Sequence, residues 1–75
     1  MDPNFKIYSV RVECAQRAGS SDTYKISRVT ARSYYSDEMD ITAEFIDRDK
    51  LFSDPYDAQE WVENRLEMIG RLRER

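Results

Sequence analysis

Apolar and polar positions alternate along the first two thirds of the chain and then change period. Over residues 5–16, FKIYSVRVECAQ, Tyr8, Val10, Val12 and Cys14 share one strand face, while Phe5 and Ile7 fall on the other. The phase slips once, near Ile7–Tyr8, and a β-bulge there restores a single buried face. The cluster AGSSD at 18–22 reads as a turn. Residues 23–35, TYKISRVTARSYY, form a second strand with its own slip around Ser27–Arg28: Tyr24 and Ile26 share one phase, Val29, Ala31 and Ser33 the other. Two long strands joined by a Gly-containing loop predict an antiparallel hairpin. After a second turn, SDEMD, residues 39–46 set Met39, Ile41, Ala43 and Phe45 against Asp40, Thr42 and Glu44, which predicts a third strand with one apolar face.

The last third has helical period, predicted over 55–73. Asp54 is placed to cap the helix, Pro55 suits its first position, and Asp57 falls in its first turn. On a helical wheel Ala58, Trp61, Val62, Leu66, Met68, Ile69 and Leu72 fill one arc of about 160°. Glu60, Glu63 and Glu67 lie opposite, and Arg71, Arg73 and Arg75 crowd the end where cations favour the helix dipole. Arg65 intrudes on the apolar arc, either lying along the core edge or pairing with a strand carboxylate.

These elements predict one domain, residues 1–75, of the α+β class. It is a three-stranded antiparallel meander, order 1-2-3, with one C-terminal amphipathic helix on one face (β-β-β-α). The helix covers one side, so the other sheet face is left open.

Composition narrows the chemistry. The 75 residues contain no histidine, one cysteine and two isolated glycines. That removes the commonest general base, His-dependent nucleophiles, a cysteine zinc site and a phosphate loop. Asp47 and Asp49 start with calcium-loop spacing, but Leu51 and Phe52 stand where an oxygen ligand and a glycine belong. The expectation is a protein that is not an enzyme and needs no cofactor or metal. No apolar run spans a membrane, MDPNF lacks signal-peptide character, and Cys14, expected buried on its strand, has no disulfide partner within the chain. A cytoplasmic setting follows.

Charge is unevenly placed. Residues 1–36 hold six bases and three acids, residues 37–57 two bases and eight acids, and residues 58–75 balance, for a net of −3. The acidic block suggests a docking face for a basic protein partner, made of Tyr34, Asp37, Glu38 and Asp40 and continued by Asp47 and Asp49. Neighbours in a strand point to opposite faces, so Tyr34 and Tyr35 cannot both be core. The phase of Val29, Ala31 and Ser33 buries Tyr35 and exposes Tyr34, either as a binding anchor or as a strand-end tyrosine whose hydroxyl reaches water. A second protein-binding stripe is Glu60, Glu63 and Glu67. The alternative from another class is a nucleic-acid accessory protein using Lys6, Arg11, Lys25, Arg28 and Arg32. A third is a homodimeric subunit that pairs through the bare sheet face or an edge strand.

With its short meander, acidic balance, absence of histidine and closing FSDPYDAQEWVENRLEMI helix, the chain resembles small phage and mobile-element proteins of the anti-CRISPR type. The likeness lies in architecture and composition, and no motif carries it. It implies inhibition by binding, in which a nucleic-acid-handling surface of a host effector complex is covered in the host cytoplasm. It assigns no residue a role.

Overall fold

The computed structural model describes residues 6–19, 22–35, 37–46 and 50–72. Three antiparallel strands, β1 (Ile7–Gln16), β2 (Tyr24–Ser33) and β3 (Glu38–Asp40), form one sheet in the order β1–β2–β3. One helix, α1 (Pro55–Met68), packs chiefly on β1. This is the α+β, β-β-β-α arrangement the alternation predicts.

Both phase slips are bulges in the hairpin. Ile7 pairs with Ser33 and Ser9 with Arg32, which leaves Tyr8 as an extra residue on β1. Glu13 pairs with Arg28 and Cys14 with Ile26, which leaves Ser27 extra on β2. The Ser27 hydroxyl donates to the Glu13 carbonyl at 3.0 Å and holds that bulge. Each extra residue flips the side chains beyond it. Ile7 thereby joins Val10, and Ile26 joins Val29, on the face that meets the helix. Tyr8, expected on the buried face, turns outward and is half exposed. Cys14 is half-buried rather than buried.

The third strand stops sooner than its pattern predicts. β3 ends at Asp40, and Thr42–Glu44 wind into a 3₁₀ turn. Asp40 Oδ1 accepts from the Thr42 backbone N–H at 2.8 Å and also from the Thr42 hydroxyl. This local side-chain bond outcompetes the ladder. Ile41 and Phe45 still reach the core, four residues apart as on a helical turn, whereas Ala43 is exposed. Strand β2 is also shorter, ending at Ser33 instead of Tyr35. The buried Ser33 hydroxyl accepts from the N–H groups of Tyr35 and Asp37 at 3.1 and 3.2 Å and turns the chain at once. Tyr35 is therefore 88% exposed, not core. Ser33 holds the last inward place.

The helix begins as its sequence predicts. Asp54 accepts from the Tyr56 N–H at 2.7 Å, and Pro55 opens the first turn. It ends at Met68, five residues before the expected end. Gly70 has a φ of +74°, the Gly70 N–H donates to the Glu67 carbonyl, and the Arg71 N–H donates back to the Leu66 carbonyl. This is the Schellman reversal that glycine favours. Met68 and Ile69, assigned to the apolar arc, are exposed beside the reversal, and Arg71 lies past the helix. The chain then folds back so that Leu72 forms a parallel bridge with Ile7. Phe5, Arg73 and Arg75 lie outside the described residues.

One core results. Ile7, Val10, Val29 and Ala31 of the sheet meet Val62 and Leu66 of α1, closed by Ile41, Phe45 and Leu72. Each buried aliphatic side chain of this size contributes about 1.5–3 kcal/mol. Trp61 lies half-buried at the border against Phe45 and Phe52, and Arg65 stacks over its ring at 5.3 Å.

A Cβ at Gly70 would meet no atom within 4 Å, so only the left-handed backbone resists a side chain there. Gly70→Ala is expected to cost about 1–2 kcal/mol, read as a lower urea midpoint with an unchanged slope. An unchanged midpoint would mean that the reversal does not form in solution.

Candidate functional site

The bulges that gather apolar residues beneath α1 also sort the remainder onto the opposite face. Strand β1 presents Ser9, Arg11 and Glu13 there. Strand β2 presents Arg32, Thr30 and Arg28, and β3 adds Glu38 and Asp40. Direct cross-strand neighbours are Ser9 with Arg32, Arg11 with Thr30, Glu13 with Arg28, Thr30 with Asp40 and Arg32 with Glu38. A shallow groove of about 420 Å³ runs over this face, lined among others by Arg11, Glu13, Arg28, Thr30, Arg32 and Glu38.

The face has both signs of charge. Arg28 Nε lies 4.0 Å from a carboxylate oxygen of Glu13 and 4.0 Å from one of Asp40. Arg32 lies 3.6 Å from Glu38. These separations are long and exposed, so each pair adds little to stability. Their effect is on pattern: three arginines are interleaved with three carboxylates. Asp40 is the best fixed of the acids. Hydrogen bonds from the Thr42 hydroxyl and backbone N–H hold its pKa below the usual carboxylate range, and Arg28 acts in the same sense. Thr42 is itself anchored, because its hydroxyl accepts from the Val29 N–H at 2.9 Å.

The expected site residues are thus divided and recombined. Glu38 and Asp40 lie on the open face beside Arg28 and Arg32, so acids and bases assigned to competing surfaces share one. Asp37 is exposed at the turn before β3. Tyr34 stands at the rim, its ring 4.7 Å from that of Tyr8 in an edge-on contact at 62°. Asp47 and Asp49 lie outside the described residues. Lys6 is exposed at the start of β1. Lys25 lines a separate notch of about 80 Å³ with Ile26, Phe45 and Lys50. The helical stripe is uneven: Glu60 and Glu67 are exposed, while Glu63 turns to accept from Gln59 Nε2 at 2.9 Å.

Glu13, Ser9 and Thr30 belong to the face and were not singled out by sequence. Their signal was present as the outward phase of each strand, legible once the two bulges are fixed. Tyr8 became a rim residue through its bulge. Cys14 is half-buried, and burial raises its thiol pKa, which disfavours the reactive thiolate. Among the described residues no three acidic, cysteine or histidine side chains are grouped to hold a metal ion. Among the same residues no helix is long and apolar enough to cross a membrane. Comparison with protein families, curated proteins and solved structures gives no match.

Because the folded-state pKa of Asp40 is lowered, its ionised form adds stability above the ordinary carboxylate value of about 4. That contribution disappears as pH falls through the lowered folded-state value. Asp40→Asn keeps an oxygen acceptor and removes the titration. From about pH 5 to about pH 2, the urea midpoint of the native protein is expected to fall more than that of D40N. Parallel curves would count against the bond to Thr42.

Proposed function

We propose that this protein acts by binding another protein through the open face of its sheet. The observation that carries the reading is the interleaving of Arg11, Arg28 and Arg32 with Glu13, Glu38 and Asp40 on one face. A nucleic-acid backbone approaching the arginines would be repelled by the three carboxylates. A uniformly basic surface approaching the carboxylates would meet the arginines. A protein surface is able to match both signs in register, and such matching sets specificity and orientation. The edge-on Tyr8–Tyr34 pair supplies an amphipathic anchor at the rim.

The chemistry of the face favours binding over catalysis. Its charged groups are exposed, Arg28 and Arg32 lie beside carboxylates, and the one carboxyl with a shifted pKa is moved away from the range a neutral-pH acid or base requires. In its narrower form the proposal is inhibition. The protein would cover a working surface of a nucleic-acid-handling effector, as the resemblance to anti-CRISPR proteins implies. A reducing cytoplasm suits the unpaired Cys14 thiol.

The test is affinity capture from host extract with tagged native protein, a helix variant (Glu60→Lys with Glu67→Lys) and a face variant (Arg32→Glu with Glu38→Lys). The face variant keeps an internal ion pair but inverts the pattern a partner meets. A stoichiometric protein partner is expected to survive nuclease. It is expected to bind the face variant about tenfold or more weakly and the helix variant normally. Loss with the helix variant alone would assign binding to the acidic stripe. Material that vanishes with nuclease would assign it to nucleic acid.

A further inference from the structure

Strand β1 is ten residues long and lies at the edge of the sheet. Long edge strands invite pairing with another chain unless something occupies them. Here the occupant is largely one side chain. The Gln59 carboxamide donates from Nε2 to the Val10 carbonyl at 2.7 Å and accepts at Oε1 from the Val12 N–H at 3.0 Å. It offers one donor and one acceptor, as a peptide group of a neighbouring strand would. Glu63 holds the same Nε2 at 2.9 Å. Further along the edge, the Ile7 N–H donates to the Arg71 carbonyl at 3.1 Å. A hollow of about 280 Å³, lined by Tyr8, Ser9, Val10, Glu63 and Leu72, lies alongside β1.

We propose that Gln59 guards β1 against a second copy of this chain, whose β1 would otherwise pair with it antiparallel about Val12. The second copy is singled out by charge and register. Pairing centred on Val12 sets Arg11 opposite Glu13 of the other copy, and Glu13 opposite its Arg11. Both ion pairs fall on the open face, while Val10 and Cys14 pair on the helix side. A two-residue shift that centres the pairing on Cys14 puts Arg11 against Arg17, and a shift the other way puts it against Ser9. Of these three registers, the one centred on Val12 matches opposite charges. It also uses the backbone groups of Val10 and Val12 that Gln59 now occupies. This inference is independent of what binds the open face.

Sedimentation of the native protein, Gln59→Ala and Gln59→Asn tests it, with circular dichroism to confirm folding. Asn keeps the carboxamide but is one methylene too short to reach. The native protein is expected to be monomeric and both variants dimeric. Adding Glu13→Arg to Q59A is expected to weaken the dimer about tenfold, and the further change Arg11→Glu to restore it. Folded, monomeric Q59A and Q59N would overturn the proposal, as would dimers indifferent to the charge at position 13. Hydrogen exchange at the native Val12 amide gives a reading that does not depend on the variants folding. Protection independent of protein concentration is expected, and protection that rises with concentration would mean that β1 pairs despite Gln59.

Discussion

The contact between β1 and α1 is the constraint on which the structure depends. A chain this short has one helix with which to cover one face of its sheet, and that helix packs chiefly on the outermost strand. Three devices fix the contact. Val62 and Leu66 are buried against Ile7 and Val10. Gln59 bonds to the β1 backbone. The reversal at Gly70 returns Leu72 to Ile7. Apolar burial supplies most of the free energy. The polar bonds contribute less, but they fix where along the strand the helix sits.

Among the described residues that economy leaves the opposite sheet face uncovered, and the chain fills it with charge rather than apolar surface. Alternating signs across strands stabilise cross-strand neighbours slightly and deny the sheet a sticky face. The same arrangement gives the face a definite pattern, anchored at Asp40 by Thr42 and bordered by Tyr8 and Tyr34. The core on one side and the candidate binding face on the other are thus two readings of one alternation. The bulges at Tyr8 and Ser27 keep both in phase.

The class of fold, the hairpin, both bulges and the start of the helix were legible in the sequence, because each rests on local chemistry: period-two alternation with a slip, and an Asp-Pro helix start. What misled was also local. Met39, Ile41, Ala43 and Phe45 alternate as a strand does, yet Asp40 and Thr42 close a turn within that run. Ser33 stops β2 before two tyrosines of high strand propensity. Gly70 ends α1 within an apolar arc whose helical period runs on to Leu72. In each case a short polar side chain or a glycine outweighed the hydrophobic period.

For the candidate binding face, the sequence by itself determined that Arg11, Glu13, Arg28, Arg32 and Asp40 point away from the helix, since alternation and two slips decide that, whereas Glu38 read as a turn residue before the third strand. It did not determine that the acids of the middle block and the bases of the hairpin would form one surface. Charge counted along the chain keeps them apart: Arg28 and Asp40 stand 12 positions from one another (40 − 28). Only the antiparallel pairing of β2 with β3 lays Glu38 beside Arg32 and Asp40 beside Arg28. The role of Gln59 was likewise decided by tertiary structure, because its partners, Val10 and Val12, lie 49 and 47 residues away. A hydrogen bond over that distance leaves no periodicity to read.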